Sequence, residues 1–251
     1  MRRIKDITAF VNSFAPLDSA MDFDNVGLLV GSENMDVTKA LVALDITDEV
    51  IDEALYNGAQ LIISHHPVIF EPLRSIDADS IVYKLIKNSL SALCLHTNLD
   101  LSPEFGVNTC LADAVGVKNA DFVEGECLYI GELDKVLSNR EFARKVKEAL
   151  GCKGLRYTFG DKTVKRVAIC SGSGGDLAPL ASELGADVLL TGEIKHNQLI
   201  AADHCGIAVV DAGHFKTEDV VIGPLCEKLG EALKDVEFIR STKGSDEVDY
   251  L

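Results

Sequence analysis

The sequence predicts an α/β protein made of two interlinked, pseudo-duplicated α/β units with mostly parallel sheets. Short apolar runs of strand length alternate with segments whose apolar residues recur at helical spacing, the grammar of βαβ units. Two stretches, KALVALDITDEVIDEALYNGAQLIISHH and KRVAICSGSGGDLAPLASELGADVLLTGEIKH, repeat one order of strand, turn, helix, Gly-Ala, apolar strand and polar end. Three apolar strands run into potential ligands: His65-His66, His96 with Asp100, and His214 with Glu218. In a mostly parallel sheet ligand sites lie at the carboxyl ends of strands, so one fold rule can gather all of them. For His214 and Glu218 to return to the first site, one unit must combine residues 1–123 with 205–251, leaving 124–204 as the second.

In chain order, Ile4, Ile7, Phe10, Val11 and Phe14 mark an amphipathic helix that stops before Pro16. DFDNVGLLVG, residues 22–31, reads as turn, strand and turn; its glycine spacing fits no phosphate-binding fingerprint. Residues 40–44 form a strand, 48–56 a helix stopped by Asn57-Gly58, and 61–63 a buried strand that delivers His65 and His66. Pro67 biases His66 toward extended backbone and restricts where its ring can point. A helix over 79–90 and a strand over 91–95 lead to HTNLD, and a helix closes at Gly116.

The pattern breaks around 124–132. Ser138 with Glu141 is a capping box for a helix ending at Gly151. A strand over 164–170 meets SGSGGD, which either holds an anion on free N–H groups or serves as a tight βα turn, and a helix follows over 177–184. Aligning Gly58-Ala59 with Gly185-Ala186 puts His65 on Gly192 and His66 on Glu193. The second copy has lost the histidine pair but keeps polar groups there. Residues 206–210 are a strand, His214 and Glu218 share the face of a first helical turn, and a long helix and a last strand precede an acidic tail.

The chain of 251 residues is long enough for a substantial core, and 47% hydrophobic with 25% charged residues is ordinary for a globular protein. A formal net charge of -16 argues against broad attraction to nucleic acid or to an anionic membrane. Bound cations are the local help that an anionic substrate needs. The cysteines at 94, 110, 127, 152, 170, 205 and 226 form no C-x-x-C pair and read as small apolar residues in a reducing compartment. The N-terminus has no apolar signal region, and no apolar run approaches the roughly 20 residues of a membrane span. The expectation is a cytoplasmic protein.

Imidazole and carboxylate without thiolate suit zinc, manganese or iron. Five or six such ligands exceed the three that one catalytic ion takes from protein, which points to two ions.

The stretches DNVGLLVG, ISHHPVIF, HTNLD, TGEIKHN and DAGHFKTE, in this order, resemble the GTP cyclohydrolase I type 2-like (Nif-three-like) dinuclear metal-centre proteins. The resemblance implies a Nif-three-like fold and metal ligands at His65, His66, Asp100, His214 and Glu218, with Asp100 and Glu218 bridging. It also implies a toroidal homohexamer whose sites face an internal cavity. On that basis the expected function is metal-dependent hydrolysis of a small molecule by a metal-bound hydroxide, with His96 and Glu193 as candidate proton carriers. GTP ring opening is implied by the resemblance alone. The competing reading is a binding or scaffold protein whose metals hold an assembly together.

Overall fold

The computed structural model describes residues 2–251. Two units share the chain: the first takes it up to Ser102 and again over Ile222–Ser245, and the second takes Pro103–Val221 with Asp246–Leu251. In the first, β1 (Arg2–Arg3) leads into α1 (Ile4–Asn12), whose Ile4, Ile7 and Val11 are buried at the predicted spacing. β2 (Gly27–Val30) and β3 (Asp36–Val37) follow, and β3 pairs back onto β1. The predicted βαβ unit is β4 (Lys39–Ala43), α2 (Asp48–Asn57) and β5 (Leu61–Ser64). Thr47 caps α2 by accepting from the Val50 N–H, and Gly58, at φ 68°, ends the helix in the left-handed region open to glycine. α3 (Ile81–Lys87), β6 (Ser91–Cys94) and the single turn α4 (Thr97–Asp100) complete this stretch. Every residue of β5 and β6 is buried, as strands covered on both faces require.

The second unit opens with α5 (Val107–Val115) and an antiparallel hairpin of β7 (Val117–Phe122) and β8 (Tyr129–Ser138). The predicted capping box starts α6 (Asn139–Leu150): the Glu141 N–H donates to Ser138 Oγ, and the Ser138 N–H donates back to the Glu141 carboxylate at 2.8 Å. Then come β9 (Arg156–Tyr157), β10 (Thr163–Cys170), α7 (Ala178–Glu183), β11 (Val188–Thr191), α8 (His196–Cys205), β12 (Ala208–Asp211) and α9 (His214–Glu218). The six-stranded sheet runs β7-β8-β10-β11-β12-β9 and is parallel only among β10, β11 and β12. Alternate residues serve opposite faces: Ile169, Leu190 and Val210 join Phe142 and Val146, while Ala168, Leu189 and Val209 join Ala178 and Ala202.

The chain returns to the first unit as α10 (Ile222–Ala232) and β13 (Glu237–Arg240). β13 pairs in parallel with β4 and completes a five-stranded sheet, β13-β4-β5-β6-β2, in which β2 alone is antiparallel. The architecture is therefore α/β with two mixed sheets. Among the described residues no helix is long and apolar enough to cross a membrane.

These units differ from the expected division of 1–123 with 205–251 against 124–204. β12 extends the parallel register of β11 and so belongs to the second sheet; β7 joins it through β8. His214 and Glu218 accordingly lie in the second unit, and the return to the first begins at Ile222. The repeat itself is visible in the register. Ala43, Ser64 and Cys94 are aligned partners across β4, β5 and β6, as are Cys170, Thr191 and Asp211 across β10, β11 and β12.

Candidate metal centre

Three parallel strands that end at one level can assemble a site from residues far apart in sequence. The ladder of the first sheet continues one step past the strands: the His65 N–H donates to Ala43 O (3.2 Å), His66 N–H to Leu44 O (2.9 Å) and Leu95 N–H to Ser64 O (2.9 Å). The backbone therefore holds both histidines, and His96 follows Leu95. The rings of His65, His66 and His96 gather with centroids 5.1, 5.2 and 5.7 Å apart. One ring nitrogen from each lies within 4.8 Å of the others.

All three rings are turned the same way. His65 Nδ1 lies 2.8 Å from the Leu95 carbonyl oxygen. A carbonyl can only accept, so Nδ1 carries the proton and Nε2 carries the lone pair. His66 Nδ1 meets Asp45 Oδ1 at 2.7 Å, and His96 Nδ1 meets Asp24 Oδ1 at 2.9 Å. With Nδ1 engaged on every ring, Nε2 is the nitrogen left open on each, the orientation that carboxylate–histidine pairs impose in metal sites.

Asp24 does more than face His96. Its second oxygen accepts from the Thr97 N–H (3.0 Å) and Thr97 Oγ1 (2.5 Å). Burial raises its pKa, but the hydrogen bonds from His96 and Thr97 prevail and hold the carboxyl well below the usual carboxylate range. The buried carboxylate of Asp100, on α4, places Oδ1 3.7 Å from His65 Nε2. The Cys94 thiol donates to the His65 carbonyl (3.1 Å), and burial, with the fields of Asp24 and Asp100, pushes its pKa up.

The second unit brings together the other predicted residues. His214 Nε2 stands 3.1 Å from Glu218 Oε2 across one turn of α9, and Nδ1 stands 3.3 Å from Glu193 Oε2 after β11. Glu218 is 4% exposed. Glycines make room for this turn: a Cβ on Gly172, at φ 58°, collides with Glu218 Oε1, and one on Gly192 comes within 2.8 Å of the His214 Cα. The Gly172 N–H donates to Thr217 Oγ1 (3.1 Å) and its carbonyl accepts from the Gly192 N–H (2.9 Å). Of the two readings of SGSGGD, the turn describes what Gly172 does: it leaves space for a buried carboxylate.

The structure thus groups His65, His66, His96 and Asp100 in one unit and His214, Glu218 and Glu193 in the other. Sequence reasoning missed Asp24 and Asp45, the carboxylates that aim His96 and His66. Asp24 lies in the DFDN stretch read above as a turn; its one sequence signal is an acid next to a turn-forming asparagine. The donors are imidazole nitrogens and carboxylate oxygens, which fit borderline divalent cations of the first transition row.

The sequence matches the Duf34/NIF3 (NGG1p interacting factor 3) family over residues 2–246. A Clostridium perfringens protein named GTP cyclohydrolase 1 type 2 homolog is 36% identical over 263 aligned positions, covering 99% of this chain and 100% of the relative. The crystal structure of Staphylococcus aureus protein SA1388 superposes with a TM-score of 0.93 at 29% identity, covering 100% of this chain and 99% of that one. Reduced HcgD from Methanocaldococcus jannaschii superposes with a TM-score of 0.81 at 29% identity, covering 95% and 97%. Full-length sequence and fold agreement, with a histidine cluster able to bind metal, make this chain a member of the Duf34/NIF3 family.

Proposed function

We propose that this chain is a metal-dependent hydrolase holding two divalent ions, zinc, iron or manganese, through His65, His66, Asp100, His214 and Glu218. The observation that carries this reading is the common orientation of the three imidazoles of the first unit, each with Nδ1 occupied by Leu95 O, Asp45 or Asp24. Histidines that merely end a strand have no reason to share an orientation. When bound, such ions supply Lewis acidity and lower the pKa of water.

The protein's own groups supply the rest. Asp45 and the Leu95 carbonyl fix the rings of His66 and His65 in the tautomer that leaves Nε2 as donor. His96 is the first candidate proton carrier, with Asp24 at Nδ1 holding the ring so that Nε2 stays open. Glu193, half exposed and paired with His214, is the second group placed to hold a proton. The name of the C. perfringens relative makes GTP and other nucleotides the first substrates to test. A homohexamer, implied by the sequence resemblance, is the proposed assembly, and light scattering measures it.

The test is hydrolysis by metal-reconstituted protein of GTP and simple phosphate esters. Turnover falling at least about a hundredfold in His66→Ala and Asp100→Ala supports the proposal. Metal binding without turnover of any substrate favours the scaffold reading.

A further inference from the structure

The chain carries a formal net charge of -16, yet the charged residues that line one of its grooves are all cations. Arg140, Ala143, Arg144 and Lys147 follow at i, i+3, i+4 and i+7 on α6 and share a face. With Leu155 and Tyr157 they line a space of about 300 Å³, at the lower end of small-ligand pockets. Ala143 is buried and forms the floor, while the three basic residues and Tyr157 are exposed walls. Seven residues of helix rise about 10 Å, so the three charges stand in a row.

Like charges at these spacings repel one another, and the acids around them, exposed Glu148 at i+4 from Arg144 and Asp249 paired with Lys153 beside Gly154, lie outside the lining. Glu141 is occupied in the Ser138 capping box. Asp161 lies 3.8 Å from Arg140, but both side chains are mostly exposed, so the pair is weak. Two of the walls converge on a residue just outside the lining: a Cβ on Gly160 would stand 3.1 Å from Arg140 Nη2 and 3.3 Å from the Tyr157 ring. Glycine leaves that corner to the guanidinium and the phenol.

We propose that this groove binds a small ligand carrying two or more consecutive phosphate groups. Arg140 and Arg144 offer planar forks that match phosphate oxygens, and Lys147 offers a third charge along the same row. Tyr157 presents a ring and a hydroxyl to whatever the phosphates carry. The chemistry is common to inorganic polyphosphate and to a nucleoside polyphosphate. Single-stranded nucleic acid fits less well, because a polyanion extending past the groove meets the net negative charge of the protein. The groove shares no residue with the metal centre, so its occupancy and the hydrolase reading stand or fall separately.

Isothermal titration of the full chain, stripped of metal and kept in metal-free buffer, with tripolyphosphate and with ATP tests the proposal. The expected result is saturable binding of one ligand per chain, weakened at least about tenfold in the Arg140→Ala/Arg144→Ala double variant and unchanged in Lys135→Ala, an exposed cation on β8. Equal affinity for the two ligands assigns recognition to the phosphates alone. Tighter ATP binding that Tyr157→Ala returns to the tripolyphosphate level assigns the surplus to Tyr157. No saturable binding, or a double variant that binds like the wild type, overturns the proposal. A single-stranded oligonucleotide binding more tightly than either ligand overturns the small-ligand assignment.

Discussion

Asp24 and His96, 72 residues apart in sequence, meet between Oδ1 and Nδ1 at 2.9 Å, and the carboxylate side chain has no exposed surface. Asp45 does the same for His66 at 2.7 Å from the end of the neighbouring strand. These carboxylates set the direction of the imidazoles without facing the gathered Nε2 atoms themselves. Replacing Asp45, which aims the proposed ligand His66, by asparagine is expected to lower divalent-ion affinity by about 10–100-fold while the fold persists, whereas Asp24→Asn, acting on His96 outside the ligand set, leaves the affinity nearly unchanged. Competition against a chromophoric chelator measures it, and unchanged affinity in Asp45→Asn contradicts the assigned orientation.

Gly172 has two reasons to be glycine: a φ of 58° and the Glu218 carboxylate where a Cβ would stand. Gly172→Ala is expected to destabilise the protein by about 1–3 kcal/mol, since strained backbone and a displaced buried group act together. Urea unfolding reads this directly. Gly185→Ala is the comparison: φ there is also positive, at 79°, but the space is open, so the loss is smaller. Equal losses would show that backbone strain acts alone and that Glu218 is not held as described.

Glu53 ties α2 to the end of β13. It accepts from Ser241 Oγ (2.5 Å), the Thr242 N–H (3.0 Å) and Thr242 Oγ1 (2.7 Å). Partial burial raises its pKa, but the hydrogen bonds from Ser241 and Thr242 outweigh burial and hold it below its ordinary 4.5. A pKa lowered on folding contributes stability that is complete above the unfolded value and is lost as pH falls through the folded one. Glu53→Gln is therefore expected to lower the urea midpoint at pH 7, with the gap to wild type narrowing between pH 5 and pH 3. A gap that stays constant over that range refutes the role of the charge.

What could be read in the sequence follows the range of the interactions involved. His65 and His66 were legible because a buried strand, a turn and a proline are local signals, and the Ser138–Glu141 box was legible because both partners lie within one turn. The functions of Asp24 and Asp45 were not, since each is defined by a ring 72 or 21 residues away. β12 was read correctly as a strand but placed with the wrong sheet, because apolar runs such as GIAVV carry no mark of the strand they will pair with. The β7–β8 hairpin was missed where VKNADF and the charged end of β8 blur the alternation that marks a strand. α8 was missed too: HNQLIAADHC buries little besides Ala202, so its apolar stripe is faint.

If the histidines and carboxylates of this chain hold two divalent ions, metal content per chain shows it without any knowledge of the substrate. Elemental analysis of protein purified without chelator or affinity nickel, with Asp100→Ala and His214→Ala alongside, is the measurement. The expected result is about two ions per chain in the wild type and their loss in both variants. Protein that carries no metal, and takes up none from zinc, manganese or iron, would contradict it.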